Sequence, residues 1–217
     1  MALRLRPPTH RADAGGVYVP ASDPAWDTAT YAADLESLLA AALTEKQDAA
    51  EAAHRAEHPE ATAEEIAALR GACKLDASEE HKAYALHPVV RYMTGKTRYQ
   101  IGAEDWAPDG SPCTVRDRYI RPGFKPCEFT IRRLRSEVYQ QADEIVSTGA
   151  RLTQFARASL RAISAPEWTW TSEPTAACAP PEVIEALHEA DPSLLLEIGR
   201  AVINLCRPLD HEVETPR

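Results

Sequence analysis

Six prolines set the limits within which this chain can build helices, because proline lacks a backbone donor and is tolerated only in a helix's first turn. Pro59, Pro88, Pro166 and Pro208 fall where helical patterns must stop, and Pro181 and Pro192 fall where they can begin. Between Thr30 and Pro59, Tyr31, Leu35, Leu38, Leu39, Ala42 and Leu43 recur at steps of three and four, the spacing of one helical face. Past Leu43 only alanines occupy that face, so the second half of this long helix is expected to bury little. Thr62 with Glu65, and Asp76 with Glu79, have capping-box spacing and predict two short helices, the first ending near Gly71 and the second running toward Leu86. After Ser136 the helical period returns through Val138, Tyr139, Ala142, Ile145 and Val146 to Gly149, and again through Leu152, Phe155, Ala156, Leu160 and Ile163. Pro181 opens a helix with Val183, Ile184 and Leu187, and Asp191-Pro192 opens a last one with Leu194, Leu195, Ile198, Val202 and Leu205.

The middle of the chain changes period. Around Arg98–Ile101 and from Cys113 to Leu134 the spacing moves toward two, with Pro108, Asp109, Gly110 and Pro112 as loop residues. Residues 127–132 alternate apolar and polar and read as the best strand, with 114–120 as its partner across Pro122-Gly123. A two-residue turn there would oppose Asp117 to Glu128. A three-residue loop pairs Val115 with Ile131, Tyr119 with Cys127 and Arg118 with Glu128, which gives one mostly apolar face and is the preferred register. The expected fold is therefore α+β and helix-rich, with a small antiparallel β-hairpin or sheet in the middle flanked by N- and C-terminal helices. Its sections are an extended arm over 1–30, an acidic helical section over 31–87, a small β section over 88–135, a C-terminal helical section over 136–208 and a tail over 209–217.

Composition narrows the function classes. The chain has 217 residues and carries 33 acidic against 24 basic side chains, a net charge of -9 that disfavours general attraction to nucleic acid or anionic membrane. No stretch approaches the roughly 18 apolar residues of a membrane span, and five scattered cysteines without a C-x-x-C pair suit a reducing, cytoplasmic setting. No catalytic residue is assigned: a G-x-S-x-G elbow and a phosphate loop are both missing, since Gly95-Lys96-Thr97 has Val90 where the upstream glycine belongs. His54 and His58 share a helical face but lack the H-E-x-x-H context, so neither metal nor cofactor is expected. The charge map is more informative. From Cys113 to Arg135 seven basic residues face two acidic ones, and Arg116, Arg118 and Arg132 are the expected partner-binding residues, set against the alternative that they balance the protein's own acidic helices.

Three stretches carry a resemblance. They are His87 to Gly95 (HPVVRYMTG), Glu128 to Leu134 (EFTIRRL) leading into a helix, and Glu197 to Leu205 (EIGRAVINL). The middle one resembles the F-x-I-R-x-L strand followed by an acidic helix in tail-assembly chaperone-like proteins of long-tailed bacteriophages. The resemblance implies a non-enzymatic protein that binds tape-measure or tail-tube proteins in the bacterial host cytoplasm, with a homo-oligomer possible and no functional residue to carry over. A head–tail or other virion structural role, and a nucleic-acid-associated accessory role using the Arg-rich hairpin, are the alternatives.

Overall fold

The computed structural model describes residues 15–207. Its elements begin with strand β1 (Gly16–Tyr18) and helices α1 (Thr28–Glu57), α2 (Ala63–Ala72), α3 (Ala77–Tyr84) and α4 (Pro88–Met93). Strands β2 (Glu104–Trp106) and β3 (Pro112–Thr114), helix α5 (Val115–Tyr119), strand β4 (Glu128–Ile131) and helices α6 (Ser136–Asp143) and α7 (Thr148–Ser159) follow. Strands β5 (Leu160–Ser164) and β6 (Thr169–Thr171) and helices α8 (Pro181–Ala190) and α9 (Pro192–Cys206) complete the described chain. This is a helix-rich α+β fold with a small antiparallel sheet.

The chain divides into two compact units. The helical unit comprises 27–91 and 104–119. Asp27 caps α1 by accepting from Thr30 N, and both capping boxes form, at Thr62–Glu65 and Asp76–Glu79. The alanine-rich second half of α1 is braced by polar side chains: Lys46 Nζ donates to Lys74 O and to Glu79 Oε2, Gln47 Nε2 donates to Arg70 O, and Arg70 pairs with Asp48 and Glu51. Ile66 is the one buried residue of α2. At the other end of α1, Asp34 accepts Arg118 Nε at 2.6 Å, Arg118 Nη2 at 2.9 Å and Tyr119 Oη at 2.8 Å.

The sheet unit comprises, among the described residues, 15–26, 92–103 and 120–207. Its four strands run antiparallel in the order β1-β4-β5-β6. Phe129 and Ile131 turn inward with Tyr18, Leu160 and Ile163, and α7 and α9 pack together beside them, with Leu152, Phe155, Leu195, Ile198, Val202 and Leu205 buried. Two glycines permit close approach. A Cβ on Gly199 of α9 would lie 2.8 Å from the Leu152 Cα of α7, and one on Gly16 would lie 2.8 Å from the Tyr99 Cβ.

Several expectations are corrected. Val115 does not pair with Ile131: Ile131 lies between Gly16 and Leu160, and Val115 opens α5. Thr114 Oγ1 accepts from Asp117 N and donates to Asp117 Oδ2, which winds 115–119 into a helix and sends Arg118 and Tyr119 to Asp34 instead of to Glu128 and Cys127. The three-residue loop becomes a turn between helix and strand, with Gly123 at a φ of 80° and Phe124 N donating to Arg121 O. Residues 88–93 are helical, not part of a β section, because His87 Nδ1 caps them by accepting from Val89 N and Pro88 sits at the first helical position. Residues 16–26 are no arm: β1 pairs with β4, Val19 is fully buried, and Trp26 Nε1 donates to Pro20 O. The first part of the expected arm, 1–14, and the tail, 209–217, lie outside the described residues. The helix after Ser136 stops at Asp143, leaving Val146 exposed, and the pattern through Ile163 is helical only to Ser159.

Candidate recognition site on the open face of the sheet

The pleat of the four-stranded sheet sends alternate side chains to opposite faces. One face holds the row Tyr18, Phe129, Ile163 and Trp170, from buried to half-buried, and the other holds Val17, Thr130, Ala162 and Thr171, from half-exposed to exposed. Antiparallel sheets commonly leave one face to solvent. Here Val17 and Thr130 of the second face line a groove of about 610 Å³ together with Gly15, Gly16, Tyr99 to Ala103, Ile131, Arg132 and Arg161.

A β-bulge supplies the second arginine. Thr130 pairs with Ala162 and Ile131 with Leu160, so Arg161 is the extra residue in β5, and such irregularities re-aim a side chain. Arg161 Nη1 donates to Leu160 O at 2.5 Å, and its Nη2 donates to Ala158 O at 3.1 Å and Ala177 O at 3.2 Å. Arg132 Nη2 donates to the same Ala177 oxygen at 2.9 Å. The Arg132 backbone is fixed from both ends: its N–H donates to Ser159 O at 3.0 Å, and its carbonyl accepts from the buried Ser159 hydroxyl at 2.5 Å. Two guanidiniums thus converge on one neutral acceptor. Burial, followed by the positive charge of Arg132, brings the Arg161 guanidinium down to about 10. The arrangement can bind an anion bidentately, since each guanidinium has five N–H donors and a planar fork that matches a carboxylate.

The three arginines expected from sequence fall in different compact units. Arg116 lies exposed on α5, and Arg118 on the same helix is engaged by Asp34, so both belong to the helical unit. Arg132 belongs to the sheet unit and lines the groove. The expected Arg-rich hairpin is not formed, and on the last helix Leu195, Ile198 and Val202 are buried in the core while Leu194 is half-buried. Arg161 was not among the expected residues. Leu160 and Ile163, three apart, satisfy a helical stripe as well as a strand, and sequence gives no signal for the bulge between them.

A second polar cluster lies in the helical unit. His87 is fully buried, its ring 4.7 Å from Tyr31 and 5.1 Å from Tyr119 between centroids. Because Nδ1 accepts from Val89 N, the neutral ring's proton sits on Nε2, which is buried without a hydrogen-bond partner. Burial lowers the imidazole to about 4, the Arg118 charge adding to that effect and the Asp34 charge opposing it. Arg118, foremost, holds the Asp34 carboxyl below the usual carboxylate range. This cluster acts as helix cap and ion-paired core. The His54 and His58 rings lie 4.8 Å apart between centroids and tilted by 44° near the end of α1, and among the described residues no group of three or more His, Cys, Asp or Glu gathers to hold a metal ion.

No protein-family model, curated protein or solved structure matches this chain.

Proposed function

We propose that this chain acts by protein–protein recognition, as a non-enzymatic component of tail assembly in a long-tailed bacteriophage, working in the host cytoplasm on tape-measure or tail-tube subunits. The observation that carries the recognition reading is the pair Arg132 and Arg161, which line the groove and converge on a single backbone carbonyl instead of on a carboxylate. The phage reading comes from the F-x-I-R-x-L stretch: Phe129 and Ile131 are buried, and Thr130, Ile131 and Arg132 line the groove. Arginine suits such a role because its charge is permanent and its fork is pre-organised. Co-expression with tape-measure and tail-tube genes from one phage, followed by affinity purification of this chain, tests the reading. A stoichiometric complex with either subunit is the expected result, and purification of this chain alone in both pairings counts against the phage assignment.

A further inference from the structure

We propose that the groove on the open face of the sheet seats an extended acidic segment of a partner protein, one carboxylate of which bridges the Arg132 and Arg161 guanidiniums. This rests on the recognition reading and specifies the chemistry of the partner. Arg132 gives one of its donors to Ala177 O and Arg161 gives its bonds to three carbonyls, so among the described residues neither guanidinium meets a carboxylate. Two like charges held together on a neutral oxygen favour an anion that takes both. The remaining lining, Gly15 to Val17, Tyr99 to Ala103, Thr130 and Ile131, adds no charge of its own. It offers a mostly apolar trough whose volume lies within the roughly 300–1,000 Å³ typical of binding clefts. A segment alternating acidic and aliphatic side chains matches that trough, because an extended chain sends alternate residues to opposite sides.

Residues 1–14 and nucleic acid suit the groove less well. Residues 1–14 lead directly into Gly15 but carry Arg4, Arg6 and Arg11 against Asp13, a net positive charge that the two arginines repel. Nucleic acid needs stacking surfaces as well as cations, and the one aromatic ring in the lining, Tyr99, is fully buried.

The test uses the full chain and three fluorescein-labelled probes: a six-residue peptide alternating glutamate and valine, the same design with lysine for glutamate, and a six-nucleotide oligo-dT, followed by anisotropy. The acidic peptide is expected to bind at submillimolar concentration. Arg132→Gln should weaken it at least fivefold, Arg161→Gln similarly, and Arg132→Lys less. Because Arg161 also caps three carbonyls, Gly102→Trp provides an independent check: a Cβ there meets nothing within 4 Å, so the bulky ring should block the groove without touching either arginine. No binding of the acidic peptide up to 1 mM, or unchanged binding in both Arg132→Gln and Gly102→Trp, overturns the proposal. So does oligo-dT binding tighter than the acidic peptide. If Asp210→Asn, Glu212→Gln and Glu214→Gln together tighten peptide binding tenfold, the occupant is the chain's own acidic segment and the partner assignment fails. A tail-subunit complex that persists in Gly102→Trp and Arg132→Gln rejects the groove while leaving the recognition reading standing.

Discussion

At the scale of single residues, Asp34 is one of three carboxylates buried among the described residues, with Asp23 and Asp105. Asp34 holds Arg118 through two bonds and Tyr119 through a third, so removing it strands a guanidinium and a phenol at once. Breaking a buried pair from one side costs about 3–5 kcal/mol, and the partial exposure of Arg118 moves the expectation for Asp34→Ala to about 2–3 kcal/mol in urea unfolding. Asp34→Asn, which keeps an acceptor, should cost less; equal losses would mean that charge, not hydrogen bonding, carries the site. His87 gives a separate pH signature. Its folded value of about 4 lies below the roughly 6.5 of an exposed imidazole, so the unfolded chain binds the proton first as pH falls. Stability from this group is therefore fully present above about 6.5 and drains between about 6.5 and 4, by at most about 1.4 kcal/mol per pH unit. Asp34 acts in the same direction but only as pH drops through the carboxylate range. The urea midpoint should slope downward across pH 6.5 to 4 and flatten in His87→Gln; an identical slope in that variant would assign the acid sensitivity elsewhere.

At the scale of elements, α2 separates packing from charge. Ile66 is its one buried residue, and Arg70 on the same helix makes ion pairs with Asp48 and Glu51 that are a quarter or more exposed. Exposed pairs are worth about 0–1 kcal/mol, whereas truncating a buried isoleucine costs about 2–5 kcal/mol. Ile66→Ala should therefore destabilise the helical unit several times more than Arg70→Met, as read by urea titration at 222 nm. The reverse order would mean that the polar brace, not the apolar contact, holds α2 against α1. Elements of this kind were legible in sequence because their signals are local: Thr62–Glu65, Asp76–Glu79, Pro181 and Asp191-Pro192 each specify a helix start within four residues. The small sheet and its strand over 127–132 were legible, but the pairing was not, because β4 pairs with β1 more than a hundred residues earlier and with β5 about thirty later, and no local signal encodes either partner. One error had a readable correction: Thr114 with Asp117 three residues on is a capping signal, and it outweighs the period-two pattern of 114–120. Of the candidate site, Arg132 was accessible from its strand, and Arg161 became visible only with the bulge.

At the scale of the whole chain, the net charge is not shared evenly. Residues 27–91 and 104–119 carry 17 acidic and 8 basic side chains, while the rest of the chain carries 16 of each. The helical unit thus accounts for the full -9, and the sheet unit with its arginine pair is neutral overall. Any polyanion approaching from beyond the Debye length of about 8 Å at physiological salt meets the repulsive field of the whole molecule, so the arginine pair acts only at contact range. Nucleic-acid binding that depends on many phosphate contacts behaves differently, losing about a thousandfold or more in affinity between 50 and 200 mM salt. The chain is therefore expected to pass through heparin-agarose at pH 7.5 and 50 mM salt and to be retained on an anion exchanger. The acidic peptide, held by one carboxylate bridge, should lose less than tenfold in affinity between 50 and 200 mM salt, because salt that weakens the contact also screens the global repulsion. Retention on heparin that survives 200 mM salt would put a dominant basic surface in place of the local pair and move nucleic acid ahead of an acidic protein segment as the partner.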